Sequence, residues 1–205
     1  MTEFPPDIQF KYTWRKYQQR VLDDLQEHLT DKHLHVIAPP GSGKTILGLE
    51  VALRLNQPTL VLAPTIAIRN QWIQRFCELF LQVAHVPDWI SQDIRNPGFL
   101  TIVTYQGLHA ACNGLSPEEK EAGTEDEEEN QRIVQSNKSS NKNVDEIASK
   151  LITQSVKTIV VDEAHHLKNE WWQTLTVIKE KIDPVIVGLT ATPPYDVTPN
   201  EWQRY

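Results

Sequence analysis

Five short runs in this chain are apolar or β-branched, His35 apart: residues 34–38, 59–63, 100–104, 158–161 and 185–189. A strand with one face in water alternates polar and apolar side chains, whereas a strand covered on both faces does not. Amphipathic helical patterns lie between and before them. Over residues 14–29, Tyr17, Val21, Leu22, Leu25 and Leu29 recur near the 3.6-residue period. Residues 44–55 carry apolar Ile46, Leu47, Leu49, Val51 and Leu53, and residues 66–80 carry Trp72, Phe76 and Leu79 facing inward. Buried strands alternating with helices predict an α/β domain, a mostly parallel sheet with helices on both faces. Ligands of such sheets bind outside the carboxyl ends of the strands.

The 205 residues suffice for a single domain with a real core. No apolar run approaches the roughly 20 residues that span a bilayer. The start, Met-Thr-Glu-Phe-Pro-Pro, lacks the basic and apolar segments of a signal peptide. A cytoplasmic location with no membrane partner is the expectation. Cys77 and Cys112 form no framework and no CxxC spacing, which fits reduced thiols.

Net charge is −7, an unusual sign for a nucleic-acid binder. The segment Asn113–Lys150 holds ten acids against five bases, so five of those seven charges sit there and the rest is near neutral. A basic groove elsewhere remains compatible with that balance. Residues 113–143 include Glu125-Asp-Glu-Glu-Glu129 and Ser136-Asn-Lys-Ser-Ser-Asn-Lys142 and offer almost nothing to bury. They read as an acidic, polar, disordered insertion between strands, either a passive loop or a regulatory flap.

Two strings carry chemistry, each at the carboxyl end of an apolar run. Ala38-Pro-Pro-Gly-Ser-Gly-Lys-Thr45 fits the phosphate-loop spacing GxxxxGK[ST] except that Ala38 stands at its first position. Glycines at 41 and 43 let backbone N–H groups face phosphate oxygens. A helix opening at Lys44 aims its positive end at the same charge. Pro40, Gly41, Ser42, Gly43, Lys44 and Thr45 are therefore candidate nucleotide ligands, with Lys44 on the β- and γ-phosphates and the Thr45 hydroxyl on Mg²⁺. The second string is Asp162-Glu-Ala-His165. Asp162 is placed to hold Mg²⁺ and Glu163 to deprotonate the attacking water. Read alone, the two acids would equally suit a helix N-terminus. His165 and His166 lack partners at zinc-binding spacing, so His165 is read as a polar coupler. Thr190-Ala-Thr-Pro193 closes the last run, either as a turn or as hydroxyls bonding the Asp162–Glu163 loop.

The ordered set Tyr17-Gln18, Ala38–Thr45, Ala63-Pro-Thr65, Thr104-Tyr-Gln106, Asp162–His165 and Thr190–Pro193 resembles the first RecA-like motor domain of superfamily 2 helicases and translocases. Arg15-Lys-Tyr-Gln-Gln19 and Gly188-Leu-Thr-Ala-Thr-Pro193 are most similar to the branch shared by type I and III restriction-enzyme motor subunits and excision-repair helicases. The resemblance implies that Gln18 reads the adenine edge, making ATP the nucleotide. It implies that Pro64, Thr65, Arg69, Gln71, Thr104 and Gln106 touch a nucleic-acid backbone. It implies that His165, Thr190 and Thr192 couple hydrolysis to domain movement.

That family carries a second motor domain with arginine fingers, for which these residues contain no match. Such a finger contributes about 10³–10⁵ in rate. The expectation is one domain over 1–205 that binds ATP–Mg²⁺, hydrolyses feebly and unwinds nothing by itself. Its helix within 1–30 would carry Gln18, and 195–205 would begin a linker to the second domain. A DNA-directed motor is preferred. An RNA-directed motor and a nucleotide-gated scaffold are the alternatives. A small-molecule kinase is disfavoured by Ala38, by Thr190–Pro193 and by the lack of an acceptor lid.

Overall fold

Six parallel strands form one sheet in the computed structural model, which describes residues 1–39, 41–114, 137–163 and 169–191. The strands are β1 (His33–Ile37), β2 (Thr59–Ala63), β3 (Ile90–Ser91), β4 (Leu100–Thr104), β5 (Thr158–Asp162) and β6 (Val185–Thr190). The helices are α1 (Lys16–Gln26), α2 (Lys44–Leu55), α3 (Ile66–Phe76), α4 (Tyr105–Cys112), α5 (Asn137–Thr153) and α6 (Asn169–Ile182). The α/β class expected from the apolar runs, a mostly parallel sheet with helices on both faces, is the class observed.

The continuous apolar strands are explained by two cores. Successive side chains of a strand point to opposite faces. Val61, Val160, Val187 and Leu189 join Leu22 and Leu25 of α1, Leu47 and Val51 of α2, and Trp72 and Phe76 of α3. Leu60, Leu62, Ile159 and Val161 join Leu108 of α4, Ile147 and Leu151 of α5, and Leu175 and Ile178 of α6. Among the described residues, no helix is long and apolar enough to cross a membrane.

Three features depart from the sequence expectations. First, the two strings are assigned to one nucleotide, yet the strands that carry them are not neighbours. The observed order is β1-β6-β5-β2-β4-β3, so β6 lies between their strands. Thr190 pairs with Ile37 at its carboxyl end, its carbonyl accepts the Ala38 N–H at 3.0 Å, and Leu189 accepts the Glu163 N–H at 2.8 Å. One strand thus fixes both loops. Second, residues 137–143, assigned by composition to the insertion, open α5. That helix is held by Val144, Ile147, Ala148 and Leu151, a stripe at helical spacing. The rest of the insertion and residues 195–205 lie outside the described residues. Third, the helix expected over 66–80 is α-helical to Phe76 and π-helical over Cys77–Leu81.

Close packing of α2 brings α3 over the sheet. A Cβ on Gly48 would lie 2.5 Å from Trp72 Cη2 and 2.6 Å from Leu189 Cδ1. Gly48→Ala gains about 1 kcal/mol of helix propensity. Overpacking of this kind costs about 1–3 kcal/mol. The variant is expected to unfold at lower urea than the parent chain. A higher midpoint would show that α2 and Trp72 do not meet this closely.

The segment before α1 follows α3. Phe4 is buried edge-on against Phe99 at 4.7 Å, Phe10 stacks on Trp14 at 4.3 Å, and the Lys11 N–H donates to the Leu79 carbonyl at 2.8 Å. This anchorage places Phe10–Arg15 along one wall of the site.

Candidate nucleotide site

The turn from β1 into α2 is shaped by two glycines in the left-handed region, Gly41 at φ 75° and Gly43 at φ 88°. A Cβ on Gly41 would meet nothing within 4 Å, so its side of the loop is open. Gly43 is the residue before α2 and would press a Cβ to 2.9 Å from Gln18 Nε2. The loop is held from behind. Tyr17 Oη and Gln18 Nε2 both donate to the Ser42 carbonyl, the latter at 3.1 Å. The Ser42 hydroxyl is buried with no hydrogen-bond partner among the described residues. A buried hydroxyl left without a partner is costly; a bound phosphate oxygen would satisfy it.

Lys44 opens α2, and its Nζ donates to Glu163 Oε1 across the cleft. Glu163 is positioned by an unusual backbone, with φ at 52° just past β5. Asp162 closes β5 and is buried. Its Oδ2 accepts the Trp72 indole N–H at 2.7 Å, and its carbonyl accepts the Tyr105 hydroxyl at 2.5 Å. Burial pushes the Asp162 carboxyl above the usual carboxylate range, with the Trp72 N–H and Lys44 opposing and Glu163 adding to the rise. A dication at this position would favour the charged form.

Gln18, Gly41, Ser42, Gly43, Lys44, Thr45, Asp162 and Glu163 line one cavity of about 800 Å³. That is within the common range for small-molecule sites. Gln18 enters it with both ends of its amide engaged, because its Oε1 also accepts the Arg15 N–H at 3.2 Å. Pro40, His165 and Thr192 lie outside the described residues.

The residues expected on a nucleic-acid backbone divide. Pro64, Thr65, Thr104 and Gln106 stand together at the carboxyl ends of β2 and β4, where Ala63 pairs with Thr104. Both threonines also cap helices: Thr65 Oγ1 accepts the Ile68 N–H at 3.2 Å and Thr104 Oγ1 accepts the Gly107 N–H at 2.9 Å. Arg69 is half-buried and its guanidinium donates to Asn70 Oδ1 at 2.9 and 3.2 Å. Gln71 is placed differently, lining the nucleotide cavity instead of the rim. It does so because Ile68, Gln71, Arg75 and Leu79 form one stripe of the helix over the cleft.

Sequence reading missed part of the wall. Phe10, Tyr12, Thr13, Arg15 and Arg75 also line the cavity. Arg75 makes no hydrogen bond or ion pair among the described residues although it is half-buried. Its spacing from Ile68 and Gln71 was the available signal. The cavity therefore has carboxylates and Lys44 at one set of walls and guanidinium, amide and aromatic groups at another. These residues fit a nucleoside triphosphate with its metal: an open glycine turn, an unsatisfied buried hydroxyl, a lysine and paired carboxylates.

The chain is similar to several known proteins. The family model for the type III restriction enzyme, res subunit, matches residues 11–195. The DNA 3'-5' translocase XPB2 of Sulfurisphaera tokodaii is 24% identical over 191 residues, covering 93% of this chain and 33% of that protein. A protein of African swine fever virus provisionally named an ATP-dependent RNA helicase is 31% identical over 83 residues, covering 40% of this chain and 16% of its own length. The crystal structure of a hypothetical ATP-dependent RNA helicase from Sulfolobus tokodaii aligns with a TM-score of 0.55 and 16% identity, over 91% of this chain and 48% of that chain. The chain thus spans less than half the length of each of these proteins.

Proposed function

We infer that this chain, which belongs to the family of the type III restriction enzyme res subunit, is the ATP-binding first motor domain of an ATP-driven DNA helicase or translocase. The observation that carries the reading is the convergence of Lys44, Thr45, Asp162 and Glu163 on one cavity at the carboxyl end of the sheet.

Lys44 holds the β- and γ-phosphates, aided by backbone N–H groups at the start of α2. Thr45 and Asp162 hold Mg²⁺, which when bound neutralises charge on the phosphates. Glu163 takes a proton from the attacking water as its oxygen bonds to the γ-phosphorus. The bond from that phosphorus to the bridging oxygen breaks, leaving ADP and phosphate. Gln18 has one N–H and oxygen lone-pair capacity remaining, enough to meet an adenine edge. Lys44 and Glu163 meet across the cleft, so a triphosphate that takes up Lys44 leaves Glu163 to act as the base.

Pro64, Thr65, Arg69, Thr104 and Gln106 meet a nucleic-acid backbone, and contacts of this kind position a strand without reading sequence. Thr190, whose carbonyl accepts the Ala38 N–H of the phosphate loop, passes the state of the nucleotide to a second motor domain together with His165 and Thr192. That domain supplies the arginine fingers that make turnover efficient. The cytoplasm is the compartment this reading assigns. DNA is preferred because the relative covering 93% of the chain is a DNA translocase by name. The RNA-directed reading rests on the two helicases whose names specify RNA.

The test is ATP turnover by this chain and by one extended through a second motor domain, each with single-stranded DNA, duplex DNA and RNA. Weak turnover here and DNA-stimulated turnover in the longer chain is the expected result. Stimulation by RNA alone would replace DNA with RNA. Bound ATP with no stimulation by either would replace the motor with a nucleotide-gated scaffold.

A further inference from the structure

Asp162, the carboxylate assigned to Mg²⁺, is gripped by the two segments assigned to the nucleic-acid backbone. Trp72 belongs to the helix that Thr65 caps, and Tyr105 immediately follows Thr104. Trp72 is fully buried, yet its one polar atom donates to Asp162 Oδ2 at 2.7 Å. A buried indole N–H finds a hydrogen-bond partner, and the partner here is the carboxylate oxygen itself; Phe would leave that oxygen without its donor. Tyr105 is likewise buried, and its hydroxyl donates to the Asp162 carbonyl at 2.5 Å. The side chain and the main chain of one residue are thus held from two different elements. The Gly48 gap that admits Trp72 Cη2 sets the depth of the indole and hence where its N–H points.

We propose that Trp72 and Tyr105 are positioning residues that hold Asp162 for the metal and link it to the Thr65 and Thr104 rims. The proposal rests on the nucleotide-site reading above. Groups that orient a metal-binding carboxylate commonly contribute about 10–100-fold in metal affinity or activity. The physical reason is orientation. A carboxylate fixed by a hydrogen bond loses less rotamer freedom on ligation, and its remaining basicity is directed to one place. The two donors act on different parts of Asp162, so their effects should combine when both are removed.

The experiment is calorimetric titration of the 205-residue chain with ATP, in EDTA and across a series of Mg²⁺ concentrations, for the parent, Trp72→Phe, Tyr105→Phe and the double variant. The expected result is metal-free ATP affinity within about twofold of the parent. The Mg²⁺ concentration for half of the affinity gain should rise about tenfold in Trp72→Phe, less in Tyr105→Phe and most in the double variant. Variants that respond to Mg²⁺ like the parent would overturn the proposal. So would a parallel loss of metal-free affinity and thermal stability, the signature of a merely structural role. Tyr105→Phe removes a single hydroxyl, so it keeps the test open if Trp72→Phe fails to fold. A parent chain whose ATP affinity ignores Mg²⁺ would instead overturn the nucleotide-site reading, and this inference with it.

Discussion

Lys44→Ala is expected to weaken ATP binding about 100-fold. A hydrogen bond to a charged group contributes about 1.5–3 kcal/mol, and each 1.4 kcal/mol is a factor of ten. Two such contacts to the β- and γ-phosphates would exceed 100-fold if Lys44 waited unpaired. It does not wait unpaired, because its Nζ sits on Glu163 Oε1. ATP must displace that partner, and the exchange reduces the net gain. Removing the lysine also leaves the Glu163 carboxylate facing the triphosphate with no cation between them. The double variant Lys44→Ala/Glu163→Gln should therefore recover part of the lost affinity. Contacting residues are expected to couple in this way. Glu163 is 23% exposed at its side chain, so water can solvate it and the fold should survive the loss of Lys44. Calorimetry with ATP and circular dichroism check both statements. An unchanged ATP affinity would remove the phosphate loop from the account.

How much of this was legible in the sequence depended on whether the signal was local. β2 and β4 were read to the residue because each is an apolar run closed by Pro64 or by the helix-capping Thr104. α2 was read to the residue because Gly43 and Asn56, both left-handed, bracket an apolar period. Lys44, Thr45, Asp162 and Glu163 were picked out because two strings of the right spacing each follow an apolar run, and all four line one cavity. The strand order was not legible. Nothing local in Val185–Thr190 says that it inserts between β1 and β5, because its apolar run reads like that of the fully buried β5. α5 was hidden by its polar opening turns, and its stripe at Val144, Ile147, Ala148 and Leu151 was too short to stand out beside the acidic run. That Gln71 lines the cavity was hidden for a related reason. Residues one apart on a helix face different ways, so buried Trp72 directs Gln71 elsewhere. Whether that is the rim or the nucleotide cavity depends on where Phe10–Arg15 lies. That segment is fixed by long-range contacts such as Lys11 with Leu79, which no spacing rule reports.

Glu163→Gln should separate binding from chemistry more sharply than any other change in this site. The amide is nearly the same size and its oxygen can still accept from Lys44, but it cannot take a proton from water. General-base catalysis contributes about 10²–10⁴-fold, so a single-turnover measurement should show hydrolysis reduced by at least about 100-fold. ATP affinity should be equal to the parent's or several-fold tighter, because a neutral amide competes less well for Lys44 than a carboxylate does. The backbone argues that the fold will hold. Glu163 owes its place to a left-handed φ of 52° and to an N–H donated to Leu189 at 2.8 Å, and neither involves the side chain that changes. The two residues of this pair then have opposite signatures. Lys44→Ala loses ATP and turnover together, whereas Glu163→Gln keeps ATP and loses turnover. If Glu163→Gln turned over ATP at the parent's rate, the base would lie elsewhere and the Lys44–Glu163 contact would be only an ion pair of the ligand-free cleft. If instead it lost ATP binding, Glu163 would be holding Lys44 in place for the phosphates. Measuring both quantities on the same preparation decides among the three.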